Sequence, residues 1–156
     1  MTPSTALHIA VEPMLALLPE RMASAEAEVM LLAIALQESR LVHRRQIGGP
    51  ARGYLQFERG GGVVGVLTHS ATKDFAAKLC SDLDYKADAD VVYGAIENND
   101  VLAFGFGRLL LFSDPAPLPK MGDVQGAWEY YKRLWRPGKP KPDTWPDMYA
   151  RARAVV

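Results

Sequence analysis

Leu36-Gln37-Glu38-Ser39-Arg40 and, beyond a glycine-rich turn, Ala51-Arg52-Gly53-Tyr54-Leu55-Gln56-Phe57-Glu58 decide how this chain is read. The first stretch closes a helix. Ser24 is a good N-cap, and Glu26 and Glu28 sit in the first turn, where the helix dipole favours acids. Val29, Leu32, Ala33 and Leu36 then recur at helical spacing, while Met30, Leu31 and Ile34 make the opposite side apolar as well. Such a helix is central to a core rather than laid on its surface. It is also a stiff mount for what hangs from its end, and Glu38 hangs there. A buried apolar helix has no use for a terminal carboxylate unless that end reaches water or a ligand. With Ser39 directly after it, Glu38 is expected in a solvent-reaching cleft.

Working outward, nearly every other segment predicts helix. Residues 7–18 are apolar enough for a first helix, kinked or restarted at Pro13. From residue 47 to 66 the glycines at 48, 49, 53, 60, 61, 62 and 65 argue against regular helix, and a small hairpin is expected around Tyr54 to Phe57. Helical signals return over 70–83, continue over 89–97, break at Asn98-Asn99 and resume over 100–112. Pro115, Pro117 and Pro119 mark a loop. Another helix is predicted over Val124–Trp135, and a last one from Thr144, where Thr144 and Asp147 have capping-box spacing. The expected fold class is mainly α, an α+β arrangement in which a helical body and a small glycine-rich β or loop lobe enclose a cleft.

At 156 residues the chain fits one domain, residues 1–156, able to bury about two-thirds of its unfolded surface. Apolar residues make up 49% and charged residues 23%, as in ordinary globular domains. Eighteen basic and eighteen acidic residues cancel, so no global field points to nucleic acid or a membrane surface. Cys80 is alone, which excludes an internal disulfide; its helical spacing with Phe75, Ala76 and Leu79 suits a small buried hydrophobe. His8, His43 and His69 are isolated, so neither a metal site nor any cofactor is expected. Glu12 and Pro13 interrupt the first apolar run, which argues against a secretory signal, and no run is long enough to insert in a membrane. Synthesis in the cytosol is the expectation.

Glu38-Ser39 followed by Ala51-Arg52-Gly53-Tyr54-Leu55-Gln56 resembles the Glu-Ser and Ala-Arg-Gly-Leu-Met-Gln motifs of lytic transglycosylases and goose-type lysozymes, in order and in loop spacing. Trp135-Arg136-Pro137-Gly138-Lys139-Pro140 is closer to small bacteriophage lysozyme-like proteins. The resemblance implies a lysozyme-like fold and cleavage of the β-1,4 bond between N-acetylmuramic acid and N-acetylglucosamine in peptidoglycan glycan strands. It further implies a phage endolysin released through a holin lesion onto periplasmic peptidoglycan, or a component carried on the virion. Glu38 would be the general acid, with Ser39, Gly53, Tyr54, Leu55, Gln56, Glu58 and Phe104 around the sugar.

Each residue also admits a plainer reading. Breaking a glycosidic bond needs a carboxyl that stays protonated near neutral pH, and burial supplies this. Glu38 suits that task, or it pairs with Arg40, Arg44 or Arg45 at the surface. Ser39 hydrogen-bonds the acid or a substrate, or it ends the helix. Gly53 lets backbone approach a sugar and Gln56 offers a donor and an acceptor, or both belong to a hairpin facing water. On a strand Glu58 would share the face of Gln56 as a second carboxylate; otherwise it is an exposed acid beside Arg59. Ala103-Phe104-Gly105 is the best match to the third family motif, Ala-Tyr-Asn. The missing hydroxyl and amide open the alternative of a non-catalytic virion or wall-binding protein. Gly105 and Gly107 equally suit close helix packing. The basic run from Lys132 to Lys141, interleaved with Tyr131 and Trp135, is a patch for an anionic polymer or a solvated surface with one buried tryptophan.

Overall fold

The computed structural model, which describes residues 1–156, is helical along most of its length and contains no β-sheet. Thr2 caps α1 (Pro3–Ala6) by accepting the Thr5 N–H at 3.1 Å. That helix widens into a π-turn, Leu7–Val11, and continues as α2 (Glu12–Leu17). Pro13 lacks an N–H, and the wider turn just before it takes up the mismatch in place of a break. Ser24 caps α3 (Ala25–Ser39) through the Ala27 N–H at 3.1 Å. The residues of α3 from Val29 to Gln37 are all buried, as its all-round apolar sequence requires.

After the loop comes a second π-turn, Arg59–Val63, leading into α4 (Val64–Thr68). α5 (Lys73–Asp82), α6 (Ala89–Ala95) and α7 (Asp100–Ser113) follow, then α8 (Val124–Trp135) and α9 (Trp145–Arg153). α1, α7 and α9 all lie against α3. Gly105 and Gly107 give α7 its close approach: a Cβ would come within 2.3 Å of Leu79 and 2.5 Å of Leu55 respectively. This is the helix-packing role, and Phe106 between them is fully buried.

Three expectations are corrected. The glycine-rich segment is helical from Arg59 to Thr68 rather than extended, because tertiary packing overrides propensity. Val63 and Val66 are buried, and Gly62 lies so close under the Phe57 ring that a Cβ would come within 2.2 Å of it. The hairpin is reduced to isolated bridges, Arg45 with Arg52 and Arg52 with Phe57, around a turn at Gly53 to Gln56. Finally, Thr144 forms no capping box; its hydroxyl bonds Gln37 Oε1 and the Lys141 carbonyl instead.

Gly53 holds this turn in place. Its φ is +71°, and a Cβ would stand 2.7 Å from the Ile96 carbonyl oxygen. Backbone cannot give way as a flexible side chain can. Gly53→Ala should therefore lower stability by about 2–4 kcal/mol, read as a shift in the urea midpoint at unchanged slope.

Candidate active site

Gln37, Glu38 and Ser39, the last residues of α3, each serve a different part of the chain. Gln37 Nε2 donates to the Lys141 carbonyl at 3.1 Å and its Oε1 accepts from Thr144, which anchors the segment leading into α9. Ser39 Oγ lies 2.7 Å from the Tyr54 carbonyl and 2.9 Å from that of Ala35, and it accepts the Leu41 N–H. Ser39 is 3% exposed, so it ends the helix and clamps the Gly53–Gln56 turn rather than touching a substrate. Glu38, between them, is partly buried and accepts a 2.5 Å hydrogen bond from the Tyr131 hydroxyl of α8.

No arginine pairs with Glu38. Arg44 is taken by Asp100 in a two-pronged ion pair at 2.6 and 2.8 Å, Arg45 by Glu97, and Arg40 by the Leu36 carbonyl. Burial raises the Glu38 carboxyl above its ordinary value. The Tyr131 hydrogen bond and the Lys141 charge oppose this without cancelling it. Tyr131 itself is pushed up by burial and by the adjacent carboxylate, so it stays a donor. Its ring lies almost parallel to Trp145, centroids 5.1 Å apart, which fixes where the hydroxyl points.

A concavity of about 620 Å³ opens at the C-terminal end of α8, lined by Gln56, Glu58, Arg133, Trp135 and Arg136 among others but not by Glu38 or Tyr131. Gln56, at φ +52°, donates to the Gly53 carbonyl at 2.8 Å. Trp135, one turn after Tyr131, donates to the Leu55 carbonyl at 2.9 Å and meets Phe57 edge-on at 5.8 Å. The turn of the second motif is thus pinned by α3 on one side and α8 on the other. Glu58 is exposed at the rim. With no strand present, alternation does not place it on the face of Gln56.

The remaining predicted residues fall elsewhere. Phe104 is completely buried in α7 and cannot wall a sugar site. Tyr54 is 6% exposed, its ring covered by the Arg44 guanidinium at 4.3 Å, and the Leu55 side chain is fully buried. The space above Gly53 belongs to Ile96, not to a ligand. His8, thought isolated, meets Glu12 one helical turn away at 3.0 Å on the surface. Tyr131 and Trp135 were missed as site residues. Helical spacing places the two together in α8, but only the fold brings the Tyr131 hydroxyl to Glu38 and the Trp135 ring to Phe57.

No family model, curated protein or solved structure matches this chain.

The raised Glu38 carboxyl makes a stability prediction. A group whose folded value lies above its unfolded one supports folding while protonated, and this support is lost as pH rises through the folded value. Glu38→Gln keeps an oxygen for Tyr131 but cannot ionise. Its melting temperature should exceed that of the unmodified chain at neutral pH, and the gap should close toward the ordinary value of 4.5, as followed by thermal melts across pH.

Proposed function

We propose that this chain is a peptidoglycan-cleaving enzyme of lysozyme-like fold, with the glycan strand running past the end of α3. The observation that carries this reading is Glu38: partly buried, raised by burial, free of any guanidinium and aimed by a tyrosine. In the protonated state Glu38 delivers its proton to the oxygen of the β-1,4 bond between N-acetylmuramic acid and N-acetylglucosamine, and that C–O bond breaks. The resulting carboxylate then takes the proton of the muramyl 6-hydroxyl as its oxygen bonds the anomeric carbon, giving a 1,6-anhydro end. Tyr131 donates to the carboxylate formed between these steps. Gln56 offers its amide to an N-acetyl or hydroxyl group, and Trp135 presents the apolar surface on which a sugar face rests. Glu58, exposed at the rim, is not required by this one-glutamate scheme.

Purified protein should clear suspended sacculi and release anhydro-muropeptides detectable by mass spectrometry. Glu38→Gln should lower the rate at least about 100-fold, the scale of a lost general acid; equal activity of the two would defeat the assignment. Reducing ends in place of anhydro ends would mean that water attacks, and would make Glu58→Gln the next variant to assay. Tyr131→Phe removes a hydrogen bond that favours the ionised carboxylate. The alkaline limb of its pH–rate profile should accordingly move to higher pH.

One observation favours a second reading, a non-catalytic virion or wall-binding protein. The concavity is lined by Gln56 and Trp135 but not by Glu38 itself. On that reading sacculi are bound and not cut at any pH from about 4 to 8, the span over which a raised carboxyl titrates. As an endolysin, the protein would spare its host when expressed alone and lyse it when a holin opens the membrane; lysis without such a partner would argue against this route.

A further inference from the structure

A second cavity, of about 850 Å³, lies between the start of α3 and the C-terminal end of α7. Arg21, Ser24, His69, Arg108, Ser113 and Tyr130 contribute its polar lining. It meets the first concavity at His69 and Ser113, which line both.

Arg108 is the unusual member. It stands between Gly107 and Leu109 in the apolar middle of α7 and is 5% exposed, yet no carboxylate faces it. Nε donates to the Met22 carbonyl at 2.8 Å, and Nη1 is buried with no partner at all. A buried guanidinium loses its hydration and normally recovers it from an acid or from several acceptors. Arg21, beside it, is held over Phe75 and Phe112 by its face, with no ion pair. Asp114 is the one carboxylate in the lining, and it is spent on Arg133 at 2.6 Å and on the Ala116 N–H. His69 uses Nδ1 to accept from Ala71, which leaves its other ring nitrogen for a ligand. Two guanidiniums without acids, a half-used histidine and the Ser24 hydroxyl therefore surround a space large enough for a small anionic group.

We propose that this cavity is an oxyanion-binding site, for a carboxylate or phosphate group, with the Arg108 and Arg21 guanidiniums, both in its lining, as its two charged donors. A planar guanidinium binds either oxyanion through paired N–H groups, so both sources share one recognition chemistry. The site is separate from Glu38 and stands or falls independently of the glycosidase reading.

The test titrates the full chain with inorganic phosphate and, separately, with acetate, holding ionic strength constant with sodium chloride. The Arg108 Nε–Hε resonance should shift and saturate with at least one of the two, and the melting temperature should rise with it. The tighter of the two identifies the source as phosphate-bearing or carboxylate-bearing. Arg21→Gln, on an exposed position, should weaken binding by about tenfold or more, the weight of one charge-assisted hydrogen bond. Arg108→Met should abolish it. An Arg108 resonance that responds to neither anion beyond the chloride control would overturn the proposal, whether or not the Arg108→Met chain folds. So would undiminished binding by Arg21→Gln.

Discussion

A helix that is apolar on every side must be enclosed on every side, and most of this fold follows from enclosing α3. Its side chains exclude water over the whole length between Val29 and Leu36, so only its ends can carry polar work. Three polar residues stand at the C-terminal end, and none is idle. Gln37 secures the approach to α9, Glu38 receives α8 through Tyr131, and Ser39 receives the Gly53–Gln56 turn. The end of one helix thereby becomes the junction of three segments distant in sequence.

What distinguishes Glu38 from an ordinary surface acid is a competition that surrounding groups keep unbalanced. Loss of water favours the neutral carboxyl; the Tyr131 hydroxyl and Lys141 favour the ion. A single guanidinium at contact distance would reverse the outcome, since opposite charge within a few ångströms lowers a carboxyl by about 1–3 pH units. Arg44 and Arg45 are near enough in sequence to do this. Asp100 and Glu97 prevent it by drawing both toward α6 and α7, and Arg52 stacks over Tyr93 on the same side. The ion pairs of this loop therefore matter less for the stability they add, which is modest for exposed pairs, than for the charge they withhold from the site.

Much of this was legible in the sequence, and what was not has definite causes. A cap and helical spacing located α3 because both signals act over a few residues, and the acid at the end of an apolar run is a local contradiction that invites notice. Tyr131 carries no such signal. It sits in a Tyr-Tyr pair within a basic segment, and its meaning depends on a stacked Trp145 and on Glu38 far upstream. Phe104 misled because a motif match stands in for position only when the fold agrees, and here α7 turns that ring into the core. The helical run of glycines at 60–62 was hidden because only the folded backbone, which turns the Phe57 ring back over residue 62, shows why Gly62 must lack a side chain.

Arginine use across the molecule sets the two cavities apart. Arg44, Arg45, Arg59 and Arg133 each meet a carboxylate, although they lie where water alone would keep them satisfied. Arg108 lies where water is scarce and meets none; burial draws its ordinary value down for that reason. Leaving a buried donor unpaired costs about 1–3 kcal/mol, and more when it is charged. A methionine or leucine would fill the same volume in α7 without that cost. Stability alone therefore gives no reason for Arg108. On the oxyanion proposal Arg108 is kept for the cavity it lines, where the one acid is already paired with Arg133.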